Sequence, residues 1–245
     1  MANRLTELGY EVVTLDINPR CRPTIVCDIL RRQYREQFNP GDFDLVFASP
    51  SCEMYSQART TKGRDFVHAD KLVKKSLEII RYFQPKMWWM ENPRNGHLRH
   101  RPFMQRIRYC DVHYCQFSNW GCKKQTRIWG GDQIAYLPSV TCNPMTCKNT
   151  MDGPRGRRIH LEQLGGNHMR FSTAEKGIIP QTLVDYLLQE GVYQGALGDR
   201  SCTPLHERYQ VREPVVHDML HKLGDLRPSV DAFADSSLHL FPTWW

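Results

Sequence analysis

The sequence predicts an α/β fold built on a largely parallel sheet, and three observations carry that reading. Several short apolar runs each end abruptly in a polar or special residue, as buried parallel strands do when their carboxyl ends open onto a site. Between the third and fourth of these runs, apolar residues recur at helical spacing, which marks a crossover helix. Of the 245 residues, 40% are apolar, enough for the core of one domain of ordinary size with a small appendage.

Four runs matter most. Tyr10 to Leu15 (YEVVTL) runs into Asp16, and Thr24 to Cys27 (TIVC) runs into Asp28. Asp44 to Ala48 (DLVFA) runs into Ser49-Pro50-Ser51-Cys52, and Met87 to Met90 (MWWM) runs into Glu91-Asn92-Pro93. Ligands of open α/β sheets bind beyond the carboxyl ends of the strands, so these four endings are expected to converge on one crevice. The crossover helix covers Lys71 to Phe83, with Leu72, Val73, Ser76, Ile80 and Phe83 on one face, and it stops before Pro85, which cannot continue the backbone ladder.

Met1 to Leu8 reads as the end of another helix, with Gly9 where a left-handed cap belongs. Such a helix ordinarily follows a strand, and none precedes it in this sequence. Tyr109 to Phe117 and Gln125 to Trp129 are short enough to be strands. Residues 130–170, rich in Gly, Pro, Cys, Asn and Arg, read as a small irregular insert. From Pro180 a helical stripe of Leu183, Val184, Leu187 and Leu188 returns, ended by Gly191. The expected organisation is a core over 1–130, an insert over 131–170, the last core helix over 171–191 and a tail over 192–245.

Lys and Arg number 33 against 26 Asp and Glu, a net charge of +7 that suits a polyanionic partner but equally fits a basic soluble protein. The nine cysteines are odd in number and lack the spacing of a secreted scaffold. No apolar run approaches the roughly 18 residues that span a bilayer, and Met1 to Gly9 lacks a signal core. The expected setting is intracellular and reducing, the nucleus if the host is eukaryotic, with free thiols.

One thiol stands out. Cys52, in a Ser-Pro-Ser-Cys loop directly after a buried strand, is fixed at the mouth of the expected crevice, where a nucleophile belongs. Taken alone, a Cys after an apolar strand is more often inert and buried. Glu91 leaves a strand so apolar that its carboxylate needs a specific partner, although a Glu before Asn-Pro also suits a turn. Arg127 would aim its guanidinium at the same crevice if its strand runs parallel to the others; otherwise a solvated face is the ordinary place for it.

Together these residues resemble a known set. Phe47-Ala48-Ser49-Pro50-Ser51-Cys52-Glu53-Met54-Tyr55-Ser56 is similar to the Pro-Cys loop of the DNA cytosine-5 methyltransferases. Glu91-Asn92-Pro93 resembles their Glu-Asn-Val motif, and Gln125-Thr126-Arg127 their Gln-x-Arg. The stretch from Glu91 to Trp129 is most similar to the compact versions found in phages, and motif order agrees over about residues 9–190. The resemblance implies a Rossmann-like, S-adenosylmethionine-dependent methyltransferase fold that lacks its first strand. It implies Cys52 as the nucleophile on carbon 6, Glu91 on the N3 and amino edge of the base, Arg127 on the O2 side, and DNA as partner, with RNA kept open. For the cofactor it implies Asp16 on the ribose hydroxyls, Ile17 against the adenine, Asp28 with Ile29 in the next motif, and Pro50. Each Asp could instead simply turn the chain.

The sequence departs from the family in several places. The Phe-x-Gly-x-Gly turn is absent ahead of residues 1–9, which correspond to the helix after it. Ser51 replaces a Pro, Trp129 stands where many members have a second Arg, and Gly177-Ile178-Ile179-Pro180 lacks the usual Asn. A catalytically inactive nucleic-acid-binding module of the same fold, or an RNA cytosine methyltransferase, therefore stand as rival readings. Within the insert, Pro154-Arg155-Gly156-Arg157-Arg158 suits phosphate contacts. Cys142 and Cys147 with His160 or His168 could hold zinc, but CNPMTC is longer than a typical knuckle, free thiols are the simpler expectation, and no metal ligand is assigned. In the tail, Pro228 to Asp235 resembles an Asp-x-Phe-Ala segment of the RNase H region of some retroelement polyproteins.

Overall fold

A computed structural model describes residues 1–60, 62–163, 173–188 and 239–242. The expected strands are all present: β1 (Val13–Asp16), β2 (Ile25–Val26), β3 (Leu45–Ala48), β4 (Met87–Pro93), β5 (Tyr109–His113) and β6 (Gln125–Gly130). The insert is less irregular than its composition implies, because β7 (Thr150–Asp152) and β8 (Arg158–His160) pair as an antiparallel hairpin. A ninth strand, β9 (His239–Pro242), comes from the tail. The α-helices described are α1 (Ala2–Glu7), α2 (Phe66–Phe83), α3 (Thr173–Gly177) and α4 (181–188), with short 3-10 turns in the connections.

The main sheet has the order β2-β1-β9-β3-β4-β6-β5. Strands β2, β1, β9, β3 and β4 are parallel, whereas β6 runs antiparallel to both β4 and β5. The place between β1 and β3, expected to be vacant for want of a first strand, is taken by β9: Leu240 pairs with Val13 on one side and Val46 on the other. Of the tail, only these four residues are described; Gly191, His168 and the Asp-x-Phe-Ala segment lie outside the described residues.

Side chains alternate across a strand, so the sheet divides two apolar cores. On one face, Leu15, Val46, Ala48, Met90 and Trp129 pack with Leu72, Val73, Ile80 and Phe83 of α2. On the other, Leu45, Phe47, Trp89 and Ile128 pack with Leu5 of α1 and with Leu183, Val184, Leu187 and Leu188 of α4. The predicted stripes on α2 and α4 are thus the buried faces.

The helix ends follow local chemistry. α2 begins five residues earlier than its stripe predicts because the Asp65 carboxylate accepts the His68 N–H at 2.9 Å and caps the first turn. It ends at Gln84, which adopts φ 50° just before Pro85. α1 ends as expected, with Gly9 at φ 87° and the Tyr10 N–H donating back to the Leu5 carbonyl at 3.0 Å.

Phe83 anchors α2. Its ring meets Phe43 edge-on with centroids 4.5 Å apart, and Tyr82, Tyr34 and Phe38 at 5.2, 5.7 and 6.2 Å. Phe83→Ala should therefore cost roughly 3–5 kcal/mol. Urea denaturation would measure it, and a loss under about 1 kcal/mol would show that the cluster does not carry this face.

Candidate active site

The carboxyl ends of β1, β2, β3 and β4 lie along one edge of the sheet, as their parallel registers require. Beyond β3 the chain enters Ser49-Pro50-Ser51-Cys52. The Asn92 side chain, buried on β4, donates to the Pro50 carbonyl at 2.8 Å and so ties the loop to the neighbouring strand end. Both Tyr55 and Ser56 donate backbone N–H bonds to the Cys52 carbonyl, at 3.0 and 2.8 Å. Farther along, the Arg64 guanidinium donates to the carbonyls of Met54, Ser56 and Arg59 at 2.7–2.8 Å. The buried Tyr55 hydroxyl donates to Asp70 at 2.8 Å, and Asp70 in turn pairs with Arg101 at 2.6 Å. Cys52 itself is half-buried and in no disulfide.

Glu91 is buried at 4% exposure where an isolated carboxylate would be costly. Two groups compensate it: the Ser49 hydroxyl donates to Oε2 at 2.8 Å, and the Lys124 ammonium lies 3.2 Å from Oε1. Lys124 also sits 4.7 Å over the Tyr114 ring. Burial pulls the Lys124 pKa down, but Glu91 first and Tyr114 next raise it above the ordinary lysine value on balance, so the ammonium stays charged. Cys52 belongs to the same electrostatic group. Burial pushes its thiol above the usual value and Glu91 adds to that, while Lys124 acts in the opposite direction.

Lys124 was not legible as a site residue, because only the strand register reveals it. Directly opposed residues of an antiparallel pair share a face. Glu91 opposes Ile128, so Lys124, Thr126 and Ile128 alternate onto the face of Glu91. The same rule corrects the expectation for Arg127. β6 is antiparallel, Arg127 opposes Asn92, and its side chain lies on the other face from Glu91. There it makes a bidentate pair with Asp111, at 2.7 and 3.0 Å, and stacks 3.5 Å from the Tyr109 ring centroid. Arg94 joins the same carboxylate at 3.0 Å. The structure thus brings Cys52 and Glu91 together, with Ser49 and Lys124, and turns Arg127 away.

At the cofactor end, Asp16 is fully buried and accepts the Asn18 N–H at 2.7 Å. Asp28 accepts the Leu30 N–H at 2.9 Å, and both carboxylates therefore do turn their chain. Ile17 and Val26, at the ends of adjacent strands, are 50% and 56% exposed, so each leaves apolar surface open at this edge. Pro50 is buried beside the Cys loop. Ile29 departs from expectation: it is wholly enclosed in the core packed by α2 and offers no side-chain surface to a cofactor.

No protein-family profile matches the chain. A probable DNA (cytosine-5)-methyltransferase of Frog virus 3 (isolate Goorha) is 29% identical over 180 residues, covering 67% of this chain and 81% of that protein. The α/β fold, the order of the motifs and this likeness agree with an enzyme of the methyltransferase class. Within that class, the chain is similar to a protein named as a probable DNA cytosine-5 methyltransferase.

The charge pattern makes a signed prediction. Iodoacetamide labelling of Cys52, followed by peptide mass spectrometry against pH, should show a midpoint above the ~8.5 of a free thiol. Removing the acid in Glu91→Gln should lower that midpoint, and removing the ammonium in Lys124→Met should raise it. A midpoint that ignores both substitutions would separate Cys52 from the pair.

Proposed function

We propose that the chain transfers a methyl group from S-adenosylmethionine to carbon 5 of a cytosine in DNA through a covalent bond to Cys52. The observation that carries this reading is that a buried, lysine-paired Glu91 and its neighbour Asn92 are hydrogen-bonded to Ser49 and Pro50 of the loop that carries Cys52, at the carboxyl edge of the parallel strands. Carbon 5 of cytosine is a poor nucleophile, and a thiolate added to carbon 6 makes it a good one.

On this reading Glu91 takes the N3 and amino edge of the base, and Ser49 and Lys124 hold its carboxylate in position. Lys124 rather than Arg127 is the cation beside Glu91; Arg127, committed to Asp111, braces β5 against β6. Ile17, with Asp28 alongside, would take the cofactor's adenosine, while the wholly buried Asp16 shapes the turn beneath it; the sulfonium of the bound cofactor supplies the methyl group. After transfer, the carbon 5 proton leaves to solvent and the electron pair it leaves behind expels the Cys52 thiolate. Because carbons 5 and 6 cannot be reached inside a duplex, the base must swing out of the helix. The net positive charge and the exposed Arg155 and Arg157 of the β7–β8 turn suit the phosphates of that duplex.

Duplex DNA carrying 5-fluorocytosine tests the reading, since fluorine cannot leave as a proton does and the adduct persists. The chain should form a denaturation-resistant complex that requires S-adenosylmethionine and vanishes in Cys52→Ala. Glu91→Gln should slow its formation by about 10²–10⁴-fold. DNA binding without any adduct would favour a non-catalytic module, and an adduct on RNA alone would reassign the substrate.

A further inference from the structure

Just beyond the end of β5, four side chains that the methyl-transfer reading does not use come together. Cys115 lies in the turn Tyr114–Gln116 directly after β5, Cys142 and Cys147 flank the turn between them, and His160 ends β8. Their donor atoms all lie within 4.8 Å of one another. Cys115, Cys147 and His160 are buried and Cys142 is half-buried. The Cys142 sulfur is 3.3 Å from His160 Nε2. Ligands around a tetrahedral zinc with Zn–S near 2.3 Å stand about 3.8 Å apart, so small side-chain shifts would close this set onto an ion.

The surroundings are those of a metal site. The Gln116 amide lies 3.7 Å from both the Cys115 and Cys147 sulfurs, placed to donate to thiolates. The Cys142 N–H donates to His113 Nδ1 at 2.8 Å, and Thr150 Oγ1 donates to the Cys147 carbonyl at 2.6 Å, which fixes the backbone on either side of the turn. The Asn149 side chain donates to the Cys115 and Ser118 carbonyls, both at 2.7 Å, and so holds the insert against the end of β5. Meanwhile, neither apolar core of the domain includes a residue from 138–163. A segment of that length with a hairpin of three-residue strands and no core of its own is where proteins use a metal in place of hydrophobic burial.

We propose that Cys115, Cys142, Cys147 and His160 bind one Zn²⁺, which fastens the insert to the sheet. Three sulfurs and one imidazole form a closed tetrahedral donor set, a structural site without an open position for substrate. The expectation of free thiols with no metal gives way because the fourth ligand, Cys115, comes from the sheet side of the insert, 27 positions before Cys142. His160, paired with Thr150, places the metal at the end of the hairpin opposite the turn that presents Arg155 and Arg157. The ion would therefore set the angle of that basic tip.

The test uses the full chain, purified under reducing conditions. Elemental analysis should find zinc equimolar with protein, and exchange with Co²⁺ should give the visible absorption of tetrahedral cobalt with thiolate-to-cobalt charge transfer. His160→Ala should lose the ion or bind it far more weakly. His160→Cys, which restores a fourth donor, should keep it with a cobalt spectrum shifted towards four sulfurs. Should the wild-type chain carry no zinc and give no thiolate–cobalt absorption, the proposal fails, whether or not any variant folds. It fails equally if His160→Ala leaves metal content and cobalt spectrum unchanged.

Discussion

A carboxylate buried at the end of a Met-Trp-Trp-Met strand imposes a constraint that reaches across three strands. Glu91 cannot stay there charged without partners, because desolvation alone would cost several kcal/mol. Its partners come from different elements: Ser49 from the end of β3, and Lys124 from the residue before β6. To bring both within reach, β3 and β4 must run parallel and in register, and β6 must return antiparallel on the far side. The neighbouring Asn92 adds its bond to Pro50. The interaction that neutralises one acid thus also fixes the loop that carries Cys52. A second buried acid, Asp111, organises the other face of the same edge through Arg127 and Arg94.

Much of this was legible in the sequence, and the failures have specific causes. Apolar runs located β1 to β4, most plainly β3, because strands buried on both faces need continuous rather than alternating apolar residues, while β5 and β6 showed only as short segments. The start of α2 was missed because Val67, 70% exposed, breaks the apolar stripe while the signal lay in Asp65, a cap residue. Cys52 and Glu91 could be named from their strand endings. Lys124 could not, since its proximity to Glu91 depends on a pairing direction that no local pattern encodes, and assuming the opposite direction aimed Arg127 at the wrong face. Likewise Ile29 reads as a strand-end residue in sequence but points into the core.

The insert was misjudged for a different reason. Periodicity and composition describe segments that fold by burying apolar surface, and residues 138–163 are held instead by polar contacts. The Asn149, Thr150 and Arg158 side chains all donate to backbone carbonyls. Such structure leaves no hydrophobic signature, and a ligand set drawn from both sides of it leaves no compact motif.

β9 carries a consequence for how the chain reaches this state. The middle of the sheet is filled by residues 239–242, which pair with β1 more than two hundred positions earlier. On a ribosome, β1 and β3 would emerge long before the strand that joins them, each with an unsatisfied backbone edge. Contacts of such separation are slow to form. Assembly of the sheet would then be completed only after synthesis of its last strand, leaving the nascent chain dependent on chaperones or vulnerable to pairing with other chains in the interval.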